Sequence, residues 1–391
     1  MKLKLIKVLF LSQWYPHRND PMLGLFVQKH AEAVSLHCDV KVLYVQSDEN
    51  IDDFEMTDRT QNNLRLLIVY YPISKQKTFS KFNNIINYYI AYWKGYKKIY
   101  SEGFKPDIIH VNILTRTAFV AYMLKICKGI PYIITEHWSR YLPDRNSFKG
   151  TFRKLLTRLV VKNAKAILPV SENLRQAMLA HKLLNNNYIE VNNVVDNFFF
   201  SESPTVYRTK KRIIHVSCFD EEAKNVKGII RATYELSKKR QDFELMLIGT
   251  GVDFQNVRQY TDTFNFPKGI IHFLGEKTSE EVANWIQNSD FFVLFSNFEN
   301  SPVVISESLV CGKPVISSNV GGTPELINDS NGILINAGNE DELLNGMNYL
   351  LDNFQNYDSE IIKANARDKF SYENIGMQLT TIYKNSISGK P

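Results

Sequence analysis

Glu299 and Glu307 bracket the stretch Asn300, Ser301, Pro302, Val303, Val304, which falls between two apolar runs, Phe291–Phe295 and Pro314–Ser318. A carboxylate only accepts hydrogen bonds, so it can grip a vicinal diol through two of them. Charge-assisted bonds of this kind are worth roughly 1.5–3 kcal/mol each. Ser301 is a natural N-cap, Pro302 suits the first helical position and Gly312 suits the helix end, so the spacing predicts a helix over 301–310. The N–H groups of Val303 and Val304 would then face outward from a helix N-terminus, where an anion is favoured. An anion cradle between two carboxylates matches a nucleotide sugar, with the diphosphate in the middle and a hydroxyl-rich ring on each side. By residue type alone, a capped amphipathic helix with two solvated glutamates explains the stretch equally well. The apolar neighbours of Glu307 (Val303, Val304, Ile305, Leu309, Val310) count against that plainer reading.

Other residues with chemical potential stand at the ends of predicted strands. Lys224 and Lys227 follow His215 in a strand, polar loop and helix, where a solvated basic loop is the default reading. His137 closes the apolar run that ends Thr135, Glu136. A lone histidine is usually structural, but the carboxyl end of a strand in a doubly wound sheet is where ligands bind. Gly24, Gly249 and Gly275 follow further predicted strands and, as bare glycines, mark tight turns. Trp14 and Tyr15 lie between the first strand and Gly24.

The elements that must carry these residues alternate along most of the chain. Strands are expected at Ile6–Ser12, Val40–Val45, Leu66–Tyr71, Ile108–Val111, Tyr132–Thr135, Ala166–Val170 and Ile189–Val191. After a linker at 197–211 come Arg212–Ser217, Glu244–Ile248, Ile271–Leu274, Phe291–Phe295, Pro314–Ser318 and Gly332–Ile335. Helical patterns separate them, which argues parallel sheets with crossover helices. A length of 391 residues suits two such domains. They are placed at 1–200 and 201–370, with a C-terminal helix, 371–391, able to cross back onto the first.

The composition, 44% hydrophobic and 23% charged, is that of a globular protein. No apolar run approaches the ~20 residues that span a bilayer. Val8–Leu11 is too short for a signal-peptide core and reads as a first buried strand. Cys38, Cys127, Cys218 and Cys311 are isolated, so no zinc, haem or redox motif is expected, and reduced, mostly buried thiols fit a cytoplasmic protein. No protein-held metal and no tightly bound cofactor are expected. A net charge of +6 gathers in two crowds, one with Lys75, Lys77, Lys81, Lys94, Lys97, Lys98 and Lys105, the other with Lys149, Arg153, Lys154, Arg158, Lys162 and Lys165. Both interleave with aromatic or apolar residues. An ordinary solvated helix face explains them, and so does docking on an anionic membrane surface. No nucleic-acid module is recognisable.

The segment ENSPVVISE at 299–307, with CGKPVI at 311–316 and GGTPE at 321–325, resembles the signature of retaining glycosyltransferases of the GT-B fold. It is most similar to the large bacterial group 1 family that assembles capsule, exopolysaccharide, lipopolysaccharide and glycolipid glycans. The resemblance implies an α/β, GT-B chain: two doubly wound Rossmann-like domains facing an interdomain cleft, acceptor in the first and nucleotide sugar in the second. It implies that Glu299 contacts donor-sugar hydroxyls, Glu307 holds the ribose diol, and the backbone from Asn300 through Val304 receives the diphosphate. Lys224 falls at the lysine that neutralises the leaving group, whereas Cys218 stands where the family usually has an arginine. His137 falls at the active-site histidine, with Glu136 orienting it or lining the acceptor pocket. Gly24, Gly249 and Gly275 become donor-contacting turns, and Trp14 and Tyr15 line the acceptor side.

The implied partners are a UDP- or GDP-sugar and a glycan or polyprenyl-linked acceptor. The implied location is cytoplasmic, peripheral on the inner face of the membrane. The same fold serves nucleotide-sugar epimerases and phosphorylases. The absence of any pyridoxal phosphate motif counts against a phosphorylase, and Cys218 leaves room for a non-catalytic nucleotide-sugar binder.

Overall fold

The computed structural model describes residues 5–61, 64–73, 80–114, 116–145, 147–202, 204 and 206–389. Lys75 and Lys77 of the first basic crowd lie outside them. The chain divides into two compact units, Met1–Val194 with Tyr372–Pro391, and Val195–Ser371.

Unit 1 runs β1 (Lys7–Ser12), α1 (Leu25–Ser35), β2 (Asp39–Asp48), β3 (Glu55–Gln61), β4 (Leu64–Pro72), α2 (Ser80–Ser101), β5 (Ile108–Asn112), α3 (Arg116–Lys128), β6 (Tyr132–Glu136), α4 (Thr151–Asn163), β7 (Ile167–Pro169) and α5 (Glu172–Ala180). Its sheet has the order β3-β4-β2-β1-β5-β6-β7 and is parallel apart from the β3–β4 pair. Alternate residues serve alternate faces. Leu9, Leu11, Leu43 and Val45 pack under α2, α3 and α4, whereas Val8, Phe10, Val42 and Tyr44 pack under α1. Because both faces are covered, these strands read as continuous apolar runs.

Two differences from expectation have a common cause. The strand β3 is exposed at every position and polar apart from Met56, so it carries no burial signal. Ile189 and Val191 are apolar, but their stretch makes no full ladder: the neighbouring Tyr188 forms an isolated bridge with Ile167, and Ile189 and Val191 donate backbone bonds to Ile167 and Pro169.

Unit 2 runs β8 (Lys211–Val216), α6 (Glu221–Lys224), α7 (Val226–Ser237), β9 (Phe243–Ile248), α8 (Phe254–Thr261), β10 (Ile271–Gly275), α9 (Ser279–Gln287), β11 (Phe291–Leu294), α10 (Val303–Val310), β12 (Val315–Ser318), β13 (Gly332–Ile335), α11 (Glu340–Asn353) and α12 (Ser359–Phe370). Its sheet is parallel throughout, in the order β10-β9-β8-β11-β12-β13. This is the doubly wound pattern, with β8 and β11 adjacent where the strand order turns. Ligands of such sheets bind at the carboxyl ends of the strands near that point.

The break between units falls at Val194/Val195 rather than at 200/201. Val195 and Phe199 are buried in the unit 2 core with Ile286, Leu309 and Cys311, and the Val195 N–H donates to the Phe370 carbonyl at 3.0 Å. After α12, helix α13 (Tyr372–Ser388) packs in unit 1 against α1. A Cβ on Gly376 would stand 2.3 Å from the Ala33 carbonyl oxygen, so glycine allows that close approach. The Tyr383 hydroxyl meets buried His110 Nδ1 at 2.6 Å.

Two cysteines, Cys38 and Cys311, are buried, whereas Cys127 and Cys218 are exposed, so the expectation of mostly buried thiols holds for half of them. Among the described residues no group of three His, Cys, Asp or Glu side chains is placed to hold a metal ion, and no helix is long and apolar enough to cross a membrane.

Candidate functional site

The expected helix after β11 is present, two residues shorter at its start. Pro302, not Ser301, occupies the N-cap position in extended conformation (φ −71°, ψ 109°), and α10 begins at Val303. Its first amides, those of Val303 and Val304, have no carbonyl within their own helix to bond. Its other end closes as predicted. Gly312 sits at φ +71°, its N–H donates to Leu309, and the Lys313 N–H donates to Ser308, a Schellman closure that requires the left-handed conformation. The loop before α10 is held from outside. Gly321 (φ +54°) lies so close that a Cβ would fall 1.8 Å from the Glu299 carbonyl oxygen, and the Gly322 N–H donates to the Asn300 carbonyl at 3.0 Å. The glycine pair after β12 therefore fixes where Glu299 stands.

Glu299 and Lys224 meet directly. Lys224 Nζ lies 2.5 Å from Glu299 Oε1, and both side chains are largely buried, at 17% and 8% exposure. Ser296 Oγ donates to the same oxygen at 2.7 Å. The position of Lys224 is set by α6, a single turn capped by Asp220 and ended by Asn225 in the left-handed region (φ 47°). Asn297 pins that turn: its N–H donates to the Ala223 carbonyl at 2.8 Å and its side-chain amide donates to the Glu222 carbonyl at 2.9 Å. Beneath it, burial pushes His215 down to about 4 with help from the Lys224 charge. Its neutral ring spans the Val293 carbonyl (2.9 Å) and Ser217 Oγ (2.7 Å). Glu307 is buried on α10, at 9% exposure.

At the neighbouring strand ends, Gly249 (φ +123°) packs where a Cβ would meet the Ser217 oxygen at 1.9 Å, and its N–H donates to the Gly275 carbonyl at 2.8 Å. The unit thus gathers one cation, two carboxylates, a free helix N-terminus and a close-packed glycine floor. That set can neutralise a diphosphate and accept hydrogen bonds from sugar hydroxyls.

A second cluster lies in unit 1. His137 is half-buried, with Phe26 at 4.6 Å and His30 at 5.2 Å between ring centroids. Burial and the neighbouring His30 hold its imidazole well below the ordinary histidine range. A neutral ring donates only once. Nδ1 faces Asn193 Oδ1 at 3.2 Å and Nε2 faces Asn112 Oδ1 at 3.4 Å. One of these amides must therefore present its NH2 group. Asn112 Nδ2 is buried with no partner among the described residues, so exchanging O and N in Asn112 satisfies both groups. Trp14 packs on Trp138 at 4.9 Å, and the Arg140 guanidinium lies 3.1 Å from the Trp138 ring centre.

Two family models cover these units. Residues 196–369 match glycosyl transferases group 1, and residues 31–196 match glycosyltransferase family 4. Both halves of the chain thus match glycosyltransferase models, and this chain is a glycosyltransferase. It is 28% identical over 278 residues to an uncharacterised glycosyltransferase of Methanocaldococcus jannaschii, covering 71% of this chain and 73% of that one. It is 21% identical to the putative teichuronic acid biosynthesis glycosyltransferase TuaC of Bacillus subtilis, covering 84% and 85%. Among solved structures, Anabaena HepE in complex with UDP matches 97% of this chain and all of that chain, with a TM-score of 0.74 at 16% identity. The fold is GT-B.

In this glycosyltransferase, unit 2 brings together Lys224, Glu299, Asn300, Ser301, Pro302, Val303, Val304 and Glu307 on neighbouring strand ends and one helix, with Gly249 and Gly275 beside them. Unit 1 groups Trp14 and His137 through Phe26 and Trp138, whose rings they touch. Gly24 is the N-cap of α1 at φ +71°, where a Cβ would meet the Trp14 backbone at 2.6 Å, so its glycine identity serves that turn.

Two residues expected at the acceptor surface are interior. Tyr15 is 2% exposed in the core beneath α1. Glu136 is fully buried, and its carboxylate accepts from the N–H groups of Leu114 (3.0 Å), His137 (2.9 Å) and Trp138 (2.8 Å). Its role is to shape the turn that presents His137 and Trp138. Burial pushes its carboxyl up to about 7 against those three bonds.

Ser296, Asn297, Asn112, Asn193 and Arg140 went unread. Ser296 and Asn297 directly precede Glu299, and that adjacency was a usable signal. Asn112 and Asn193 reach His137 only through the fold.

Proposed function

We propose that this glycosyltransferase moves a sugar from a nucleotide-diphosphate sugar, UDP- or GDP-linked, to a hydroxyl of a glycan or polyprenyl-linked glycan, with anomeric configuration retained, in capsule, exopolysaccharide or lipopolysaccharide assembly. The observation that carries it is the Lys224–Glu299 pair, 2.5 Å apart, which joins the end of α6 to the loop that leads to the N-terminus of α10. HepE holds UDP, and TuaC is named for a polysaccharide pathway, which supports the donor class and the product class.

In the reaction, the acceptor oxygen bonds to the anomeric carbon as the bond from that carbon to phosphate oxygen breaks. The acceptor proton passes to the leaving phosphate oxygen on the same face, and the nucleoside diphosphate departs. Lys224 and the Val303 and Val304 amides take up the charge that develops on the diphosphate. Glu299 accepts hydrogen bonds from donor-sugar hydroxyls, and Lys224 and Ser296 hold that carboxylate in place. Glu307 accepts from the ribose diol. Neutral His137, its single N–H committed to Asn193, supplies no proton to the leaving group. With exposed Cys218 at the position of the family's usual arginine, Lys224 is the side-chain cation that serves the leaving group.

The test is to screen UDP- and GDP-sugars for thermal stabilisation and then follow donor hydrolysis with and without acceptor. Losing one leaving-group donor typically costs ~3–4 kcal/mol of barrier. Lys224→Ala should therefore lower turnover by about two to three orders of magnitude, whereas Glu307→Ala should mainly weaken donor binding. Equal donor affinity and equal rate in the two variants would overturn the assignment. Release of an epimerised sugar without acceptor would mark an epimerase, and donor binding without any hydrolysis would mark a binding protein.

A further inference from the structure

The helices α2, α3 and α4 together carry eleven Lys and Arg and no Asp or Glu, against a net charge of +6 for the whole chain. All three bury their inner faces on the same side of the unit 1 sheet. Their outer faces nonetheless mix these cations with large apolar side chains. Ile90 and Trp93 on α2, Ile126 on α3, and Phe152 and Leu155 on α4 are exposed, Phe152 at 79%. Along α2, Phe82, Ile86, Ile90 and Trp93 recur at helical spacing, so the stripe is a second apolar face opposite the buried one. Between α2 and α3 lies an apolar slot of about 300 Å³, lined by Tyr89, Trp93, Tyr96, Phe119, Met123 and Cys127.

We propose that these outer faces dock unit 1 onto an anionic lipid bilayer, and that the slot between α2 and α3 takes up a lipid chain. Each part of the surface has a counterpart there. The exposed cations Lys94, Lys97, Lys128, Arg153 and Lys162 meet anionic headgroups. The bulky apolar tips enter the acyl boundary. Lys97 lies 5.4 Å from the Trp93 ring, the mixture of amine and indole that suits a membrane interface. Lys125 donates to the Asn163 carbonyl at 2.8 Å, which ties α3 to the end of α4 and holds their outer faces in one surface.

Other occupants fit less well. Protein interface cores are depleted in lysine, and a nucleic acid has nothing in which to bury Ile90, Ile126 and Leu155. The inference goes beyond the transferase reading, because vesicle binding needs neither donor nor turnover.

The experiment is flotation of the full chain with vesicles of phosphatidylcholine alone or with about 30% phosphatidylglycerol. Binding to the anionic vesicles should be at least about tenfold tighter and should weaken with salt. The double variant Ile90→Glu, Phe152→Glu should lose at least about tenfold in vesicle binding. It should keep its melting temperature and its stabilisation by donor nucleotide. Lipids brominated on the acyl chain should quench Trp93, one of four tryptophans, and that quenching should vanish in Trp93→Phe. No binding, equal binding to both compositions, or wild-type binding by the double variant would overturn the docking surface. So would self-association that the double variant abolishes, since a second copy would then cover this face. Binding with no Trp93 quenching would overturn the slot.

Discussion

Glu299 and Lys224 were each legible from sequence, but their pairing was not. Residues 75 positions apart form an ion pair because Asn297 ties the turn carrying Lys224 to the loop carrying Glu299. The same loop geometry sets His215, which the sequence presented only as part of a strand. Burial holds its folded value at about 4, below the ordinary ~6.5 of an unfolded histidine. As pH falls below ~6.5 the unfolded chain takes the proton first, so stability present above that pH is lost on the way down to about 4. The loss amounts to about 3 kcal/mol. His215→Asn should be less stable than the parent at pH 7 by about 1–3 kcal/mol, through lost hydrogen bonding. It should also lose less between pH 6.5 and 4.5. Denaturant unfolding of unit 2 at the two pH values reads both effects, and an unchanged acid slope would show that His215 is not the responsible group.

At the scale of elements, α10 shows how local signals and tertiary contacts divide the work. Its C-terminal end was readable because Gly312 alone fits the left-handed closure. Its start was misplaced because Gly321 and Gly322, which lie on another loop, hold the backbone at Glu299 and Asn300, and Pro302 is extended. Gly321→Ala should therefore damage the site as well as the fold. The new Cβ would displace the Glu299 backbone, so donor affinity should fall by more than about tenfold, with a stability cost of at least ~1–3 kcal/mol. Gly338→Ala is the control: it shares a positive φ (+74°), but nothing lies within 4 Å of its Cβ position. It should cost only ~1–2 kcal/mol of backbone strain. Donor titration by calorimetry and melting of the two variants would separate them, and matching donor affinities would sink the argument. The helix α8 and strand β3 escaped notice for a related reason: their residues are mostly polar, and periodic burial is the signal that sequence reading depends on.

At the scale of the whole molecule, α13 closes unit 1 after the chain has built unit 2. Ile375, Leu379, Ile382 and Tyr383 of this helix are buried in the core over α1. Burying such side chains is worth ~1.5–3 kcal/mol each, which together approaches the ~5–15 kcal/mol that stabilises a domain. A chain ended at Ser371 should therefore lose the unit 1 transition in calorimetry while keeping that of unit 2. An intact unit 1 transition would show that α13 is dispensable. The sequence by itself determined the alternation of strands and helices, the two-unit plan, the GT-B glycosyltransferase resemblance and the motif residues around α10, because these depend on short-range periodicity, turn chemistry and contiguous motifs. Tertiary structure alone decided that Tyr15 and Glu136 are interior, that Asn112 and Asn193 flank His137, and that Lys224 rests on Glu299. Those facts depend on which distant segments the sheets bring side by side, and no local pattern encodes that distance.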